Sequence, residues 1–455
     1  MKKVHFIAIG GAVMHNLALA LHSKGYSVSG SDDEFFEPSR SRLAAKGLLP
    51  DATGWHAERI TPDLDAVILG MHALPDNPEL LRAQELGLKI YSFPEYLYEQ
   101  TAHEKRIVVG GSHGKTTTTA MIMYVLRKCG VDFDYMVGAQ VEGFETMVRL
   151  SQSAKVAVFE GDEYLTSPTD RRSKFLHYHP DIAILTGIAW DHVNVFPTFD
   201  SYVGQFRKFA ESIQPGGSFI YCATDKNLAD IASSAVRSDV TLHPYSGFEW
   251  HTDADGHTVA SIDGHDVRVS VFGQHNMQNM QAAMLACAQV GISPAQFAEA
   301  ISDFTGAARR LQLLADSPRL TAYLDFAHSP SKLRATVSAV RERYPDRKIV
   351  AAMELHTFSS LTKDFLPQYN GAMEKADVAI VYYNPDVLHA KHLAEFTPTD
   401  VSAAFAQDGL VVLQSSADVE AAVRREATPG CVLLLMSSGD FGGIDIKALV
   451  TDLSR

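Results

Sequence analysis

The sequence predicts an α/β protein built as three units in series. Three observations carry that expectation. Strand-length apolar runs alternate with helical patterns at both ends of the chain, the mark of parallel sheets with crossover helices. A glycine-rich loop stands directly between a strand pattern and a helix pattern near residue 110. The chain has 455 residues, which at roughly 150 per domain is room for about three.

The first unit covers residues 1–104. A strand at 4–9 runs into Gly10-Gly11, then a helix pattern with Leu17, Leu19, Ala20 and Leu21. A second strand at 26–29 ends at Gly30-Ser31-Asp32, and a third at 66–69 ends at Gly70. The polar stretch 100–105 reads as a linker. The second unit, 105–307, starts with a strand at 106–109 and continues through strands at 156–159 and 182–185. Around 219–221 and 258–271 the pattern shortens and alternates, more antiparallel in character. A helix is expected from about 276 to 290, and 305–310 reads as a second junction. The third unit, 308–455, alternates again, with strands at 321–326, 349–353, 378–383, 410–413 and 431–436. The chain has no solenoid-length repeat and no low-complexity tract.

Composition narrows the function classes. Lys and Arg number 40 against 54 Asp and Glu, a net charge of −14. That argues against nonspecific nucleic-acid binding and against an anionic membrane surface. Any anionic ligand therefore needs positive charge placed locally. No apolar run approaches the ~18 residues that span a bilayer. Lys2 and Lys3 before an apolar stretch, with Ala18-Leu19-Ala20, mimic a signal peptide, but Gly10-Gly11 and His15-Asn16 interrupt it. Cys129, Cys222, Cys287 and Cys431 are scattered with no CxxC pair, so a reduced cytoplasm is expected.

The strongest motif is Gly110-Gly111-Ser112-His113-Gly114-Lys115-Thr116-Thr117. Small residues there let several backbone N–H groups point at phosphate oxygens from a helix N-terminus. Lys115 reaches the β/γ-phosphates and the Thr116 hydroxyl holds Mg²⁺ in such a loop. The metal also needs a carboxylate, and the strand at 156–159 ends in Glu160-Gly161-Asp162-Glu163. Glu160 is the first choice. The strand at 182–185 leads to Asp191-His192, where His192 is a further metal candidate.

Together these stretches resemble the Mur ligase family, the ATP-dependent amide ligases of peptidoglycan assembly. The resemblance covers essentially the whole chain. Gly273-Gln274-His275-Asn276 with Asn279 is similar to the family's adenine-side motif, Arg309-Arg310 to its hinge arginine, and Asp325-Phe326-Ala327-His328-Ser329-Pro330 to its DYAHxP motif. Within the family the chain is most similar to the branch acting on UDP-N-acetylmuramate. Residues 160–164 with 170–175, and 436–444, resemble the members that attach an intact tripeptide during recycling. The nearest alternative is attachment of L-alanine. Ala8 and Val13 stand where relatives usually carry Gly, and His356-Thr357-Phe358 matches neither acceptor type. Some branches carry a carbamylated lysine about fifteen residues after the motif histidine. Here that position is Arg207, so no carbamate is expected.

The resemblance implies three domains: a Rossmann-like UDP-binding domain, a P-loop ATPase domain and a Rossmann-like C-terminal domain. It implies ATP and Mg²⁺ as cofactors, with UDP-N-acetylmuramate and a peptide or amino-acid amine as substrates. Lys115, His192, Arg310 and His328 are the implied catalytic residues. Nucleotide contacts fall to Gly111, Ser112, His113, Gly114, Lys115, Thr116, Thr117, His275, Asn276, Asn279, Arg310 and Asp325. Substrate contacts fall to Gly10, Gly11, Ser31, Asp32, Arg171, Arg172 and His356; metal contacts to Thr116, Glu160 and His192. A monomer or weak homodimer is expected, with the third unit swinging on the 305–310 hinge. The glycine-rich N-terminus alone would also suit a nicotinamide dinucleotide, but a dehydrogenase needs no ATP loop downstream. A catalytically silent sensor would have lost Lys115, Thr116, Glu160 or His192.

Overall fold

The computed structural model describes every residue except His72 and Pro168. Three parallel-rich sheets follow one another along the chain. The first contains β1 (Lys3–Ile7), β2 (Ser27–Ser31), β3 (Ala66–Leu69) and β4 (Ile90–Ser92) in the order β2-β1-β3-β4, all parallel. The order reverses at β1, so a crevice opens at its carboxyl end.

The second sheet has seven strands: β5 (Lys105–Gly110), β6 (Phe133–Met136), β7 (Val148–Arg149), β8 (Val156–Glu160), β9 (Ile182–Leu185), β10 (Ser218–Cys222) and β11 (Thr241–Tyr245). Their order is β11-β10-β9-β5-β8-β6-β7. β5 lies between β8 and β9, with Val109 opposite Glu160 and Gly110 opposite Leu185. The loops leaving these three strands therefore converge. A small antiparallel sheet of β12 (Trp250–Thr252), β13 (Thr258–Ile262) and β14 (His265–Val269) follows.

The third sheet holds β15 (Gln312–Asp316), β16 (Leu320–Asp325), β17 (Ile349–Leu355), β18 (Val378–Tyr383), β19 (Val411–Leu413) and β20 (Cys431–Met436). Its order is β15-β16-β20-β17-β18-β19, with only β15 antiparallel. β20 is central and buried along its whole length, an unbroken apolar strand as two covered faces demand. Val432, Leu434 and Met436 pack into one core while Cys431, Leu433 and Leu435 pack into the other.

The structure corrects two expectations and adds elements the sequence pattern did not reveal. The linker expected at 100–105 narrows to residues 102–104: the helix Phe93–Thr101 runs into it and β5 begins at Lys105. A capping box of Ser92 and Glu95 starts that helix, and β4 precedes it; neither was expected. β10 is parallel to both neighbours, not antiparallel. β15 was also missed, because Leu313 faces solvent and weakens its apolar pattern.

Candidate active site

At the crevice of the first sheet, β1 gives way to Ala8, which has a φ of 68°. A left-handed turn is needed there, and Ala fills it at some strain. Gly10 N–H donates to Asp32 Oδ2 at 2.6 Å, tying the glycine turn to the end of β2. A Cβ on Gly10 would stand 2.8 Å from that same oxygen. Burial pushes the Asp32 carboxyl up to about 6. Ser31 Oγ accepts from Arg59 at 2.8 Å. Gly10, Gly11, Ser31 and Asp32 thus form one cluster.

The glycine loop connects β5 to the helix Lys115–Lys128, with Gly114 as N-cap at a φ of 77°. Thr116 Oγ1 donates to Glu160 Oε1 at 2.9 Å, and Glu160 Oε2 accepts from Gly138 N–H at 2.7 Å. Lys115 Nζ donates to Glu163 Oε2 at 2.7 Å and to the Gly111 carbonyl at 2.5 Å. Burial opposes a charged Lys115, yet Glu163 and Asp162 outweigh it and hold its pKa above the ordinary value. Burial likewise opposes a charged Glu163, and Lys115 and His192 overcome it, driving its carboxyl far below the usual range. Glu163 also accepts from the buried Tyr202 hydroxyl at 2.9 Å, which lies 2.8 Å from Ser112 Oγ. His113, half-buried within the loop, is held neutral: desolvation, Lys332 and Lys115 lower it to about 4.

His192, at a φ of 54°, places Nε2 3.5 Å from Glu163 Oε1. The expected metal trio therefore divides. Thr116 and Glu160 bond each other, whereas His192 groups with Asp162 and Glu163, their ligand atoms all within 4.8 Å. These hard oxygens and one imidazole are a donor set that suits Mg²⁺. Arg207 faces away and bonds Ser234 at 2.9 Å.

The third sheet brings its own carboxyl ends to the same place. β16 delivers Asp325 and the loop to His328; β17 delivers Glu354 and the loop to Ser359. Ser359 Oγ donates to Asp191 Oδ1 at 3.0 Å, joining the third unit to the second. Arg310 donates to Thr116 Oγ1 at 3.3 Å from the hinge, stacked 4.7 Å over Phe326. Arg309 turns the other way, to the carbonyls of Ser437 and Gly439. Asp325 accepts the backbone N–H groups of Leu311 and Ala327, so it braces the hinge turn.

A cavity of about 730 Å³ joins all three units. Val13 and Phe93 of the first unit line it, as do His113, Lys115, Thr116, Glu160, His275, Asn276, Asn279, Arg310, Asp325 and His328. A smaller cavity of about 310 Å³ adjoins it and shares Asp162, Asp191, His192 and His328. Tyr164, Asn194, Thr357, Phe358 and Ser359 complete its wall.

Three family descriptions match in order: Mur ligase family, catalytic domain, over residues 3–105; Mur ligase middle domain over 109–287; and Mur ligase, glutamate ligase domain, over 309–439. The UDP-N-acetylmuramate–L-alanine ligase of Paenarthrobacter aurescens (strain TC1) is 30% identical, over 98% of this chain and 97% of its own.

The chain belongs to the Mur ligase family.

It is an ATP-dependent, ADP-forming amide ligase of the peptidoglycan pathway. The UDP-N-acetylmuramate–L-alanyl-γ-D-glutamyl-meso-2,6-diaminoheptandioate ligase of Escherichia coli (strain K12) is also 30% identical, over 98% of this chain and 97% of its own. Among solved structures, a murein peptide ligase from Psychrobacter arcticus is similar with a TM-score of 0.68 and 26% identity, covering 100% of this chain and 99% of that one. Relatives of both acceptor types thus stand at equal identity.

Several predicted residues of this Mur ligase lie apart from the large cavity. Arg171 is exposed, and Arg172 is committed to Asp170 at 2.6 Å and Glu95 at 3.3 Å. His356 lies 3.6 Å from Glu354. Sequence reasoning missed Tyr202, Ser359 and Lys332. Tyr202 sits on an aromatic helix face with no signal beyond its hydroxyl. Lys332 follows His328 by four residues, a spacing that could have drawn attention to it.

Proposed function

We propose that this ligase joins the carboxylate of UDP-N-acetylmuramate to the amine of L-Ala-γ-D-Glu-meso-diaminopimelate. In this reading a carboxylate oxygen attacks the γ-phosphorus of ATP and ADP leaves. The amine then attacks the acyl phosphate, a tetrahedral intermediate forms, and phosphate departs as the amide is completed. Domains 1–104, 105–307 and 308–455 bind UDP-sugar, ATP and amine respectively. The enzyme acts in the cytoplasm as a monomer or weak homodimer.

The first step brings two anions together. At ~4 Å their repulsion is about 1 kcal/mol in water and ~4 kcal/mol at an effective dielectric of 20. Lys115 and Arg310 offset it at the phosphoryl group. Thr116 with Glu160, and separately His192 with Asp162 and Glu163, would hold Mg²⁺, which would supply further positive charge at the phosphoryl group. His275, Asn276 and Asn279 take the adenine side, and Asp325 the ribose side. Gly10, Gly11, Ser31 and Asp32 take the uridine diphosphate, and His356 stands on the acceptor side.

The observation that carries the peptide reading is the lining of the smaller cavity. None of its nine residues is Lys or Arg, while Asp162 and Asp191 both face it. Free L-alanine would bring its carboxylate into this space, two bonds from the reacting nitrogen. In the peptide that carboxyl is an amide, and the remaining carboxylates lie farther out. The test is phosphate release with ATP, Mg²⁺ and UDP-N-acetylmuramate, comparing the two amines. The peptide reading expects turnover with the tripeptide alone. Turnover with L-alanine would overturn it.

A further inference from the structure

Lys332 has no part in the reaction as described above, yet it lies in the first turn of the helix Pro330–Arg343, on the wall of the large cavity. Lys115 and Arg310 line the same space. Its side chain is only 19% exposed. Its Nζ is 3.4 Å from His328 Nε2 and 4.0 Å from Asp191 Oδ2.

The tautomer of His328 follows from its neighbours. Nδ1 lies 2.8 Å from the Phe326 carbonyl, which can only accept, so Nδ1 carries the hydrogen. Nε2 is then a lone pair facing the Lys332 ammonium. Burial and Lys332 hold the ring down to about 3, so His328 brings no charge to the site. Among the described residues beyond the hinge that line the large cavity, Lys332 is the one lysine or arginine.

Lys332 is also less committed than Lys115. Lys115 is paired with Glu163 at 2.7 Å. Asp191 stands beyond hydrogen-bond reach of Lys332, and its Oδ1 already accepts from Ser359 and from His192 N–H. An ammonium has three donors, and among the described residues only one is used. Burial brings the lysine down to about 8, so it remains largely charged at neutral pH.

We propose that Lys332 is the cation with which the third unit grips the terminal phosphoryl group of bound ATP, aimed by the lone pair of His328. The proposal rests on ATP occupying the large cavity. It gives docking of the third unit a chemical purpose: only the docked arrangement completes the positive charge around the group being transferred. His328 acts as a positioning residue through Lys332.

The test is calorimetric titration of the full chain with Mg²⁺ plus AMP-PNP, and separately with Mg²⁺ plus ADP. Lys332→Met should weaken AMP-PNP by roughly tenfold or more, the scale of one charge-assisted hydrogen bond, and leave ADP within about twofold. Lys332→Arg should keep most of the preference. His328→Gln, which keeps a polar atom near the Nε2 position, should keep it as well, and His328→Ala should lose it. Equal weakening of both nucleotides, or of neither, would overturn the proposal. Lys332→Gln serves as a second neutral variant should Lys332→Met fail to fold. Failure of the ligase reading shows elsewhere, as wild-type protein that binds both nucleotides but releases no phosphate with UDP-N-acetylmuramate and an amine.

Discussion

Replacing Gly111 by alanine tests the phosphate loop at its tightest point. Gly111 has a φ of 133°, in the region that favours glycine. A Cβ there would lie 2.1 Å from Thr186 Oγ1 and 3.0 Å from Thr186 N. The hydroxyl is not free to turn aside, because it donates to the His113 carbonyl and lies 3.2 Å from that of Gly110. The amide is fixed by its own 3.1 Å bond to Gly110. The loop itself must therefore move. Backbone strain costs about 1–3 kcal/mol, and overpacking about 1–3 kcal/mol. Lys115 is bonded to the Gly111 carbonyl and moves with it. Together these costs come to about 2–6 kcal/mol, and at 1.4 kcal/mol per decade the middle of that combined range is a loss of roughly several hundredfold in affinity. The assay is calorimetric titration with AMP-PNP beside a thermal melt. Gly204→Ala is the control: it is helical with nothing within 4 Å of a new Cβ. It should stabilise by about 0.5–1 kcal/mol and leave binding unchanged. If Gly111→Ala binds AMP-PNP within about threefold of wild type, this loop is not the phosphate cradle.

Three further changes probe the core beneath the loop, a buried carboxyl and the metal shell. Tyr202→Phe removes the donor to Glu163 and the partner of Ser112, and should cost ~2 kcal/mol in urea unfolding; a change under ~0.5 would show that this buried chain contributes little. Glu104 is buried, neither of its carboxyl oxygens is hydrogen-bonded among the described residues, and burial with nearby Asp134 raises it from 4.5 to about 8. Between those values the fold holds a proton that the unfolded chain does not, so stability falls as pH rises towards about 8. Glu104→Gln should match wild type near pH ~5 and melt higher near pH ~9; parallel melting curves would refute the assignment. His192→Ala should raise the Mg²⁺ concentration needed for half-maximal turnover, and an unchanged Mg²⁺ profile would remove it from the metal shell.

The strands that sequence reads best are those whose side chains answer to one constraint. β3, β9, β18 and β20 begin and end where their apolar runs do. β2 is displaced to Ser27–Ser31 because Gly30 and Ser31 pair with Phe6 and Ile7. Local polarity predicted a turn there, and the ladder overrode it. The helix Phe93–Thr101 was hidden because its C-terminal turn is polar, although Gln100 and Thr101 are buried against neighbours no local pattern reveals. At the site, the glycine loop and its carboxylate were legible because phosphate chemistry demands those residue types next to those elements. Division of the metal candidates into Thr116 with Glu160, and His192 with Asp162 and Glu163, was not legible. It depends on the register that sets β8 and β9 on either side of β5. Lys332 was hidden for a similar reason: only docking of the third sheet brings it to Asp191.

The central claim is that the substrate carboxylate is activated by phosphorylation before amide formation. UDP-N-acetylmuramate labelled with ¹⁸O in its carboxylate tests this most directly, incubated with ATP, Mg²⁺ and the amine acceptor that supports turnover. Each released phosphate should carry one ¹⁸O, since the attacking carboxylate oxygen leaves with phosphorus, and ADP should form in equal amount. Unlabelled phosphate accompanying amide formation, or AMP in place of ADP, would contradict the claim.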